Sequence, residues 1–203
     1  MEYSAGFTSE GWFQQEIEYV LDQLHKGFSR KEIRSKVMGD NVFLLRSESA
    51  ISKRFQMVYR RAKTLYPTLS EYYFNGTNSD QKVLLLYSFL KCYRYAYESF
   101  YELIVYRYQH KNGTLRVSDL SFYMEEKEQQ SEKIANWHTA TRKKINSTLL
   151  LFYRESSMIE LVDDEYKVSP LHVSQALKQC AEQQDDLLKA IITLKAGVKS
   201  DYI

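Results

Sequence analysis

Cysteine, proline and glycine are all scarce in this chain. Its 203 residues include two cysteines, two prolines and seven glycines. Cys92 and Cys180 lie far apart with no metal-binding spacing around them, which argues against a disulfide framework and favours a reduced, cytoplasmic protein. Because residues that break helices are few and Leu, Lys, Glu and Gln are abundant, the composition predicts a mainly α, multi-helical fold.

Long apolar runs are also absent. The longest apolar stretch without a charge, 83–90, has eight residues between Lys82 and Lys91, whereas a membrane-spanning helix needs about 20. The opening residues MEYSAGF have neither the basic region nor the apolar core of a signal peptide. We therefore expect a soluble, cytoplasmic protein with no membrane partner.

The motifs of catalysis and cofactor binding are missing as well. The sequence has no phosphate-binding glycine loop and no metal-spaced cluster of Cys or His. The acid pairs Asp163-Asp164 and Asp185-Asp186 are typical of a turn and of a solvated helix start. The four histidines are isolated in sequence: His25, His110, His138 and His172. We expect no enzymatic activity, no cofactor, no metal and no small-molecule substrate.

The sequence does have a strongly uneven distribution of charge. The formal net charge is only +2, but residues 1–25 carry five acids and no Lys or Arg. Residues 26–66 carry eleven Lys or Arg against three acids, a net charge of +8. Such a local concentration of positive charge indicates a polyanionic partner better than the pI does.

The basic segment ends in a predicted amphipathic helix over residues 46–65, capped by Ser47. Its apolar stripe recurs at spacings of 4, 3, 4 and 3, at Ile51, Phe55, Val58, Ala62 and Leu65. At about 100° per residue, three cations project within about 40° of one another, and two more lie about a quarter-turn around the helix from these three. These five candidate DNA-binding residues are Arg46, Lys53 and Arg60, then Arg54 and Arg61. Arginine suits forked contacts with phosphates and guanine edges; an ordinary solvated helix face is the alternative.

Three predicted helices form the N-terminal lobe, residues 1–67. They cover residues 9–24, 29–38 and 46–65, and Ser29 with Glu32 forms a capping box at the second. The order is helix-turn-helix-like, with the third helix in the place of a recognition helix. The link between the second and third helices has about eight residues, longer than the 3–4 of a strict motif.

The second lobe, residues 68–203, is predicted to be helical with one short β-hairpin. A helix over 134–154 carries a second basic cluster, Arg142, Lys143 and Lys144, which we add to the candidate DNA-binding residues. Two β-branched and aromatic runs flank Asp163-Asp164 and predict a hairpin at 158–168. Helices followed by a hairpin are winged-helix-like, although the acidic turn would repel phosphates. Ser169-Pro170 predicts the start of another helix.

Taken together, these features resemble the BrxA family of BREX bacteriophage-exclusion systems. The likeness covers about residues 3–171. It is carried by the opening YSAGF, the helix over 51–65, the aromatic run over 81–108, and Trp137, Thr141 and Lys144 ahead of a hydrophobic run and a hairpin. The resemblance implies an all-helical bacterial protein of a phage-defence operon that binds DNA rather than catalyses a reaction. It also implies an older description as an inner-membrane protein, which the short apolar runs contradict.

Three functions are compatible with this sequence. The leading hypothesis is a non-enzymatic BREX component that binds double-stranded DNA through its basic helices, with other BREX proteins as further partners. A NusB-like helical fold, also associated with the family, favours an RNA-binding module in which some of the 17 tyrosines stack on bases. A protein-interaction scaffold is the third, in which the tyrosine-rich central helices dock other defence proteins and the basic residues are merely solvated.

Overall fold

The computed structural model describes residues 2–111 and 113–195. These residues form a mainly helical protein with one small three-stranded antiparallel sheet, which confirms the predicted fold class. Among the described helices, none is both long enough and apolar enough to cross a membrane.

The helices and strands follow one another with short connections. The first elements are a 3-10 helix (Ala5–Ser9), α1 (Gln14–His25), α2 (Arg30–Gly39), α3 (Glu48–Leu65) and α4 (Thr68–Asn75). Next come α5 (Asn78–Cys92), α6 (Arg94–Ser99), a π-helical segment (Phe100–Val105), α7 (Tyr106–His110) and β1 (Thr114–Leu115). The remaining elements are α8 (Val117–Gln130), α9 (Glu132–Ala135), α10 (Thr139–Glu155), β2 (Ile159–Val162), β3 (Glu165–Val168), α11 (Gln175–Gln184) and α12 (Asp186–Thr193).

The local signals at α2 and α3 are confirmed. The Ser29 hydroxyl accepts from the Glu32 amide while the Glu32 carboxylate accepts from the Ser29 amide, which is the predicted capping box. Ser47 caps α3 by accepting from the amide of Ala50. The whole predicted apolar stripe of α3 is buried, and it packs against α1, α2 and α5. One side of α3 is therefore fixed in the core.

The first predicted helix begins later than expected. Residues 9–13 were predicted to form its first turn but are not part of α1. The Glu10 backbone is extended, and Phe13 adopts a left-handed φ of 51° just before α1 begins. Glu10 is buried rather than solvated. Its carboxylate and the neighbouring Gly11 carbonyl lie against a buried arginine of α3, and an unbroken helix would place these two groups differently.

Aromatic side chains fill the middle of the molecule around α5. The Phe89 ring of α5 stacks on the Phe152 ring of α10, with centroids 3.6 Å apart. Much of the tyrosine content is also core, as Tyr73, Tyr87, Tyr93, Tyr95, Tyr123 and Tyr153 are all buried. Burying these large rings supplies much of the apolar area that stabilises a helical fold. The core thus accounts for a large part of the unusual tyrosine content.

The hairpin forms within the predicted range. Strands β2 and β3 pair antiparallel, with Ile159 opposite Val168 and Val162 opposite Glu165. The turn before it places Ser157 at a positive φ of 64°, a conformation that glycine adopts more easily. Strand β1, which the sequence pattern did not reveal, joins the other edge of β3, so the sheet order is β1-β3-β2.

Two predicted helices have different bounds. The helix over 134–154 is divided into α9 and α10, with residues 136–138 between them. The helix predicted to start at Ser169-Pro170 starts instead after Ser174. The reason lies in Asp80 of α5, whose carboxylate accepts from the Ser174 amide at 2.8 Å and so fixes the chain where α11 begins.

The buried residues form one continuous hydrophobic cluster, from Phe7 near the N-terminus to Leu194. Helix α3 packs on α5, and α10 packs on the 3-10 helix, so contacts run across the predicted boundary at residue 67. The division into lobes of residues 1–67 and 68–203 stays a prediction, and residues 196–203 lie outside the described part of the chain.

Candidate nucleic-acid interface

The solvent side of α3 keeps three of the predicted cations. Lys53 and Arg60 are exposed and, at seven residues apart, are separated by about 10 Å along the helix. Arg46 is exposed at the N-terminal end, just before the cap. We call these three residues the basic face of α3. It lies opposite the buried stripe, so the core positions it.

Two members of the basic face are anchored by their neighbours. The Lys53 ammonium donates to the Ser9 hydroxyl at 3.0 Å. The Arg60 guanidinium lies over the Tyr93 ring, 4.5 Å from its centroid, donates to the Tyr93 hydroxyl and is 3.5 Å from the Glu10 carboxylate. Its side chain is nevertheless 49% exposed, so it can still reach a ligand.

Arg61 does not lie at the surface, and its burial argues against the predicted DNA contact by this residue. Its side chain is 0% exposed. The guanidinium donates to the Gly11 carbonyl at 2.8 Å, to the Leu85 carbonyl at 3.2 Å and to the Ser88 hydroxyl at 3.1 Å. Burial lowers the pKa of the guanidinium, while the nearby Glu10 carboxylate opposes this shift. Arg61 therefore joins the N-terminal segment, α3 and α5 inside the protein.

Arg54 is partly enclosed on the same flank of α3. Its guanidinium pairs with Glu16 of α1 at 2.9 Å and lies over the Phe13 ring at 4.3 Å. Only 28% of the side chain is exposed. Since its charge is already matched by a carboxylate, Arg54 is a weaker contact candidate than the three residues of the basic face.

The acidic N-terminal segment explains why some cations of the basic segment are paired or buried while others are exposed. Its acids supply the partners of four cations in the basic segment: Asp22 pairs with Lys26, Glu16 with Arg54, and Glu10 with both Arg60 and Arg61. Residues 9–16 thus cover one flank of α3 and neutralise part of it. The other flank of α3, which faces α2, keeps its positive charge.

That second flank contributes cations that the sequence prediction left out. Arg30 of α2 lies over the Tyr59 ring of α3 at 5.2 Å, and Arg34 donates to the Ser52 hydroxyl at 3.3 Å. Lys63 is exposed one turn beyond Arg60. Spacing alone places Lys63 near Arg60, but the helical pattern does not reveal which flank of α3 is covered.

The second basic cluster is divided between the fold and the surface. The Arg142 guanidinium donates to the carbonyls of Trp137 and Ala135 at 2.8 and 2.7 Å, and it pairs with Glu128 at 2.5 Å. It therefore serves the junction of α9 and α10, and like Arg54 it is a weaker contact candidate, because its charge is already matched by a carboxylate. Lys143 and Lys144 are exposed on α10 and remain candidates.

The hairpin tip carries charge of the opposite sign. Asp163 and Asp164 form the turn, both with positive φ, and Leu161 and Val162 beside them are 59% and 45% exposed. Phosphates would be repelled by this acidic, apolar tip. Among residues 2–111 and 113–195, no group of three or more His, Cys, Asp or Glu side chains is arranged to hold a metal ion.

Comparison with known proteins assigns the family. The model of the BrxA family matches residues 1–185. The BREX protein BrxA of Bacillus cereus is 28% identical over 158 residues, which cover 78% of this chain and 79% of that protein. The crystal structure of an uncharacterized protein from Magnetospirillum magneticum has the same fold, with a TM-score of 0.79 at 13% identity over 97% of this chain and all of the other. The chain therefore belongs to the BrxA family, and this membership supports a role in a BREX phage-defence system.

Proposed function

We propose that this protein is a non-enzymatic component of a BREX system that binds duplex DNA through the basic face of α3. The observation that carries the proposal is the position of Lys53 and Arg60. Both are exposed on the side of α3 opposite its buried stripe, and Arg46 extends the same positive surface. A rigidly packed helix with exposed cations is the element that fits a major groove and its flanking phosphates. Since the duplex DNA of a bacterial cell lies in the cytoplasm, the proposal places the protein there.

A second contact is assigned to α10. Lys143 and Lys144 are exposed near its N-terminal half. The element order around it is α7, β1, α8, the short α9, α10, β2 and β3. Together with the sheet order β1-β3-β2, this order favours a winged-helix-like interpretation of this part. The acidic hairpin turn speaks against contact by the wing, so the proposal gives the DNA contacts of this part to α10 alone.

Duplex DNA fits this surface better than unpaired RNA. Sequence-tolerant binding of single strands relies on exposed rings that stack on bases. Among the described residues, the exposed Phe, Tyr and Trp side chains are Phe74, Tyr106, Tyr108 and Phe122, and none of them lies on α2 or α3. The basic surface therefore offers charge rather than stacking platforms.

Fluorescence anisotropy with a labelled duplex of about 30 base pairs tests the proposal. Each phosphate contact contributes about −0.9 to the slope of log affinity against log salt, so the three basic-face cations with Lys143 and Lys144 predict a slope of about −4.5 or steeper. The double substitution Arg46→Glu with Lys53→Glu should weaken binding at least tenfold at about 100 mM salt.

The matched control is Lys178→Glu with Lys189→Glu, which makes the same change in charge at exposed positions of α11 and α12. Its affinity should stay within about twofold of the wild type, because these lysines lie outside the proposed surface. Equal losses in the two double variants, or no binding of the wild type at about 50 mM salt, would contradict the proposal. Preference for RNA of equal length in a competition assay would select the RNA-binding alternative.

A further inference from the structure

A groove runs between α2 and α3 beside the 3-10 helix. It encloses about 540 Å³ and is lined by Gly6, Arg30, Lys53, Gln56, Met57, Tyr59, Arg60 and Lys63. Four of these eight residues are cations, and the described lining contains no carboxylate. Two of the cations, Lys53 and Arg60, belong to the basic face, whereas Arg30 and Lys63 extend it around the flank of α3. We call this feature the α2–α3 groove.

Neutral groups hold the cations of the groove in place. Arg30 lies over the Tyr59 ring at 5.2 Å and Lys63 over the Tyr66 ring at 5.1 Å. Lys53 is held by the hydroxyl of Ser9. A ring or a hydroxyl attracts a cation without cancelling its charge. These side chains are thus positioned before a ligand arrives, which reduces the entropy lost on binding.

Arg60 differs from the other three groove cations, because it contacts both a ring and a carboxylate. It lies over the Tyr93 ring at 4.5 Å, and its acidic partner Glu10 has a side chain that is 0% exposed. The carboxylate therefore anchors Arg60 from inside the protein and does not face the groove. The Tyr59, Tyr66 and Tyr93 rings each have a cation over one face, so that face does not stack on a base.

We propose that the α2–α3 groove is a preorganised site for the phosphate groups of a polynucleotide backbone, in which Arg30 and Lys63 act together with Lys53 and Arg60. The inference rests on the proposed DNA binding for the identity of the polynucleotide. The groove adds α2 to the contact surface and assigns it a sequence-independent role, since phosphates carry no base information. A strand seated there fixes the position of α3 relative to the duplex.

Removing the two added cations tests the site. Arg30→Ala with Lys63→Ala deletes two phosphate contacts, so the slope of log affinity against log salt should become less steep by about 1.8. The ratio of affinities measured at 50 and 200 mM salt should then fall by about 12-fold. The control, Lys178→Ala with Lys189→Ala, removes the same charge and should keep the wild-type slope. If the wild type binds duplex DNA and both variants show its slope, the groove inference is overturned while the proposed function stands.

Substitutions of Tyr59 test preorganisation without a change of charge. Tyr59→Phe keeps the ring under Arg30 and should bind within about twofold of the wild type. Tyr59→Leu removes the ring and should weaken binding by about threefold to fivefold with the slope unchanged, because all the cations remain. Equal affinities of the Phe and Leu variants, with circular dichroism confirming that both are folded, would show that the ring does not position Arg30 and would overturn that part of the inference.

A small anion separates failure of the site from failure of the proposed function. If the wild type does not bind the duplex, inorganic tripolyphosphate is titrated into the full chain and followed by NMR of the arginine side chains. Saturable shifts at Arg60, which lines the same groove, that disappear in the Arg30→Ala, Lys63→Ala variant would support a phosphate site whose ligand is a free polyphosphate rather than a polynucleotide backbone, which overturns the polynucleotide assignment. No shifts in the wild type would overturn the phosphate site as well.

Discussion

Replacing Arg61 by methionine should destabilise the protein strongly, although arginine is usually a surface residue. The methionine side chain fills part of the same volume but donates no hydrogen bond. The substitution leaves the carbonyls of Gly11 and Leu85 without the donors that now lie 2.8 and 3.2 Å away. It also removes one of the two cations that lie 3.5 Å from the buried Glu10 carboxylate.

The size of the effect follows from this geometry. Breaking a buried ion pair by removing one partner costs about 3–5 kcal/mol, because the remaining charge stays in a poorly solvating interior. For a chain of this length, each kcal/mol lowers Tm by about 2–4 °C, so we expect a decrease of about 6–20 °C. Adding Glu10→Gln to Arg61→Met removes the leftover charge and should recover about 1–2 kcal/mol.

Urea denaturation followed by circular dichroism measures these free energies, with Arg46→Ala as the control. Arg46 is exposed and makes no ion pair among the described residues, so its replacement should change stability by less than about 0.5 kcal/mol. A loss below about 1 kcal/mol for Arg61→Met would refute the assignment of Arg61 to the core. A normal stability combined with weakened DNA binding would return Arg61 to the contact surface.

Two further predictions concern the hydrogen-bonded acids. Asp80 is fully buried, and its carboxylate accepts from the amides of Thr77 and Ser174. Asp80→Ala should lower the free energy of unfolding, measured by urea denaturation, by about 1–3 kcal/mol. Asp80→Asn should lower it by less, because asparagine keeps an acceptor oxygen. A change below about 0.5 kcal/mol would contradict this role. Burial raises the pKa of Glu98, but hydrogen bonds from Lys127, Tyr3 and Arg94 outweigh it and leave the pKa below its ordinary value. The stability that comes from this lowered pKa is present above the pKa of the unfolded chain, about 4.3, and is lost as the pH falls below it. The Tm should therefore decrease less between pH 5 and pH 3 in Glu98→Gln than in the wild type. An equal decrease of Tm in the two proteins would exclude Glu98 as its source.

The parts of the fold that were predictable from sequence are those set by neighbouring residues. The capping box at Ser29, the cap at Ser47 and the buried stripe of α3 all follow from side chains within a few positions of one another. The hairpin was also predictable, because its two strands flank a short turn. Strand β1 was not, since its two residues form a strand only by pairing with Lys167 and Tyr166 from about 50 residues away.

In the candidate site, too, the features set by neighbouring residues were predictable and those set by distant residues were not. The helical angles place Arg54 and Arg61 beside the basic face, and that angular placement is sound. Which flank faces solvent depends on where residues 9–16 pack, and this is decided by partners far along the chain such as Glu10 and Glu16. For the same reason Arg30 and Lys63 escaped prediction: their place in one groove depends on how α2 packs on α3.

Segment charge and surface charge therefore differ in this protein. The net +8 of residues 26–66 includes Arg61, which is buried, and Lys26 and Arg54, which pair with acids from residues 1–25. The cations that line the α2–α3 groove instead contact rings or a hydroxyl, and within the described residues their one acidic partner is Glu10, which is enclosed beneath Arg60. A ligand approaching from the α2 side thus meets Arg30, Lys53 and Lys63, which pair with no carboxylate in the described part of the chain. A ligand approaching from the α1 side meets cations already matched by carboxylates. Binding from the α2 side is the orientation that the electrostatics of the molecule favours.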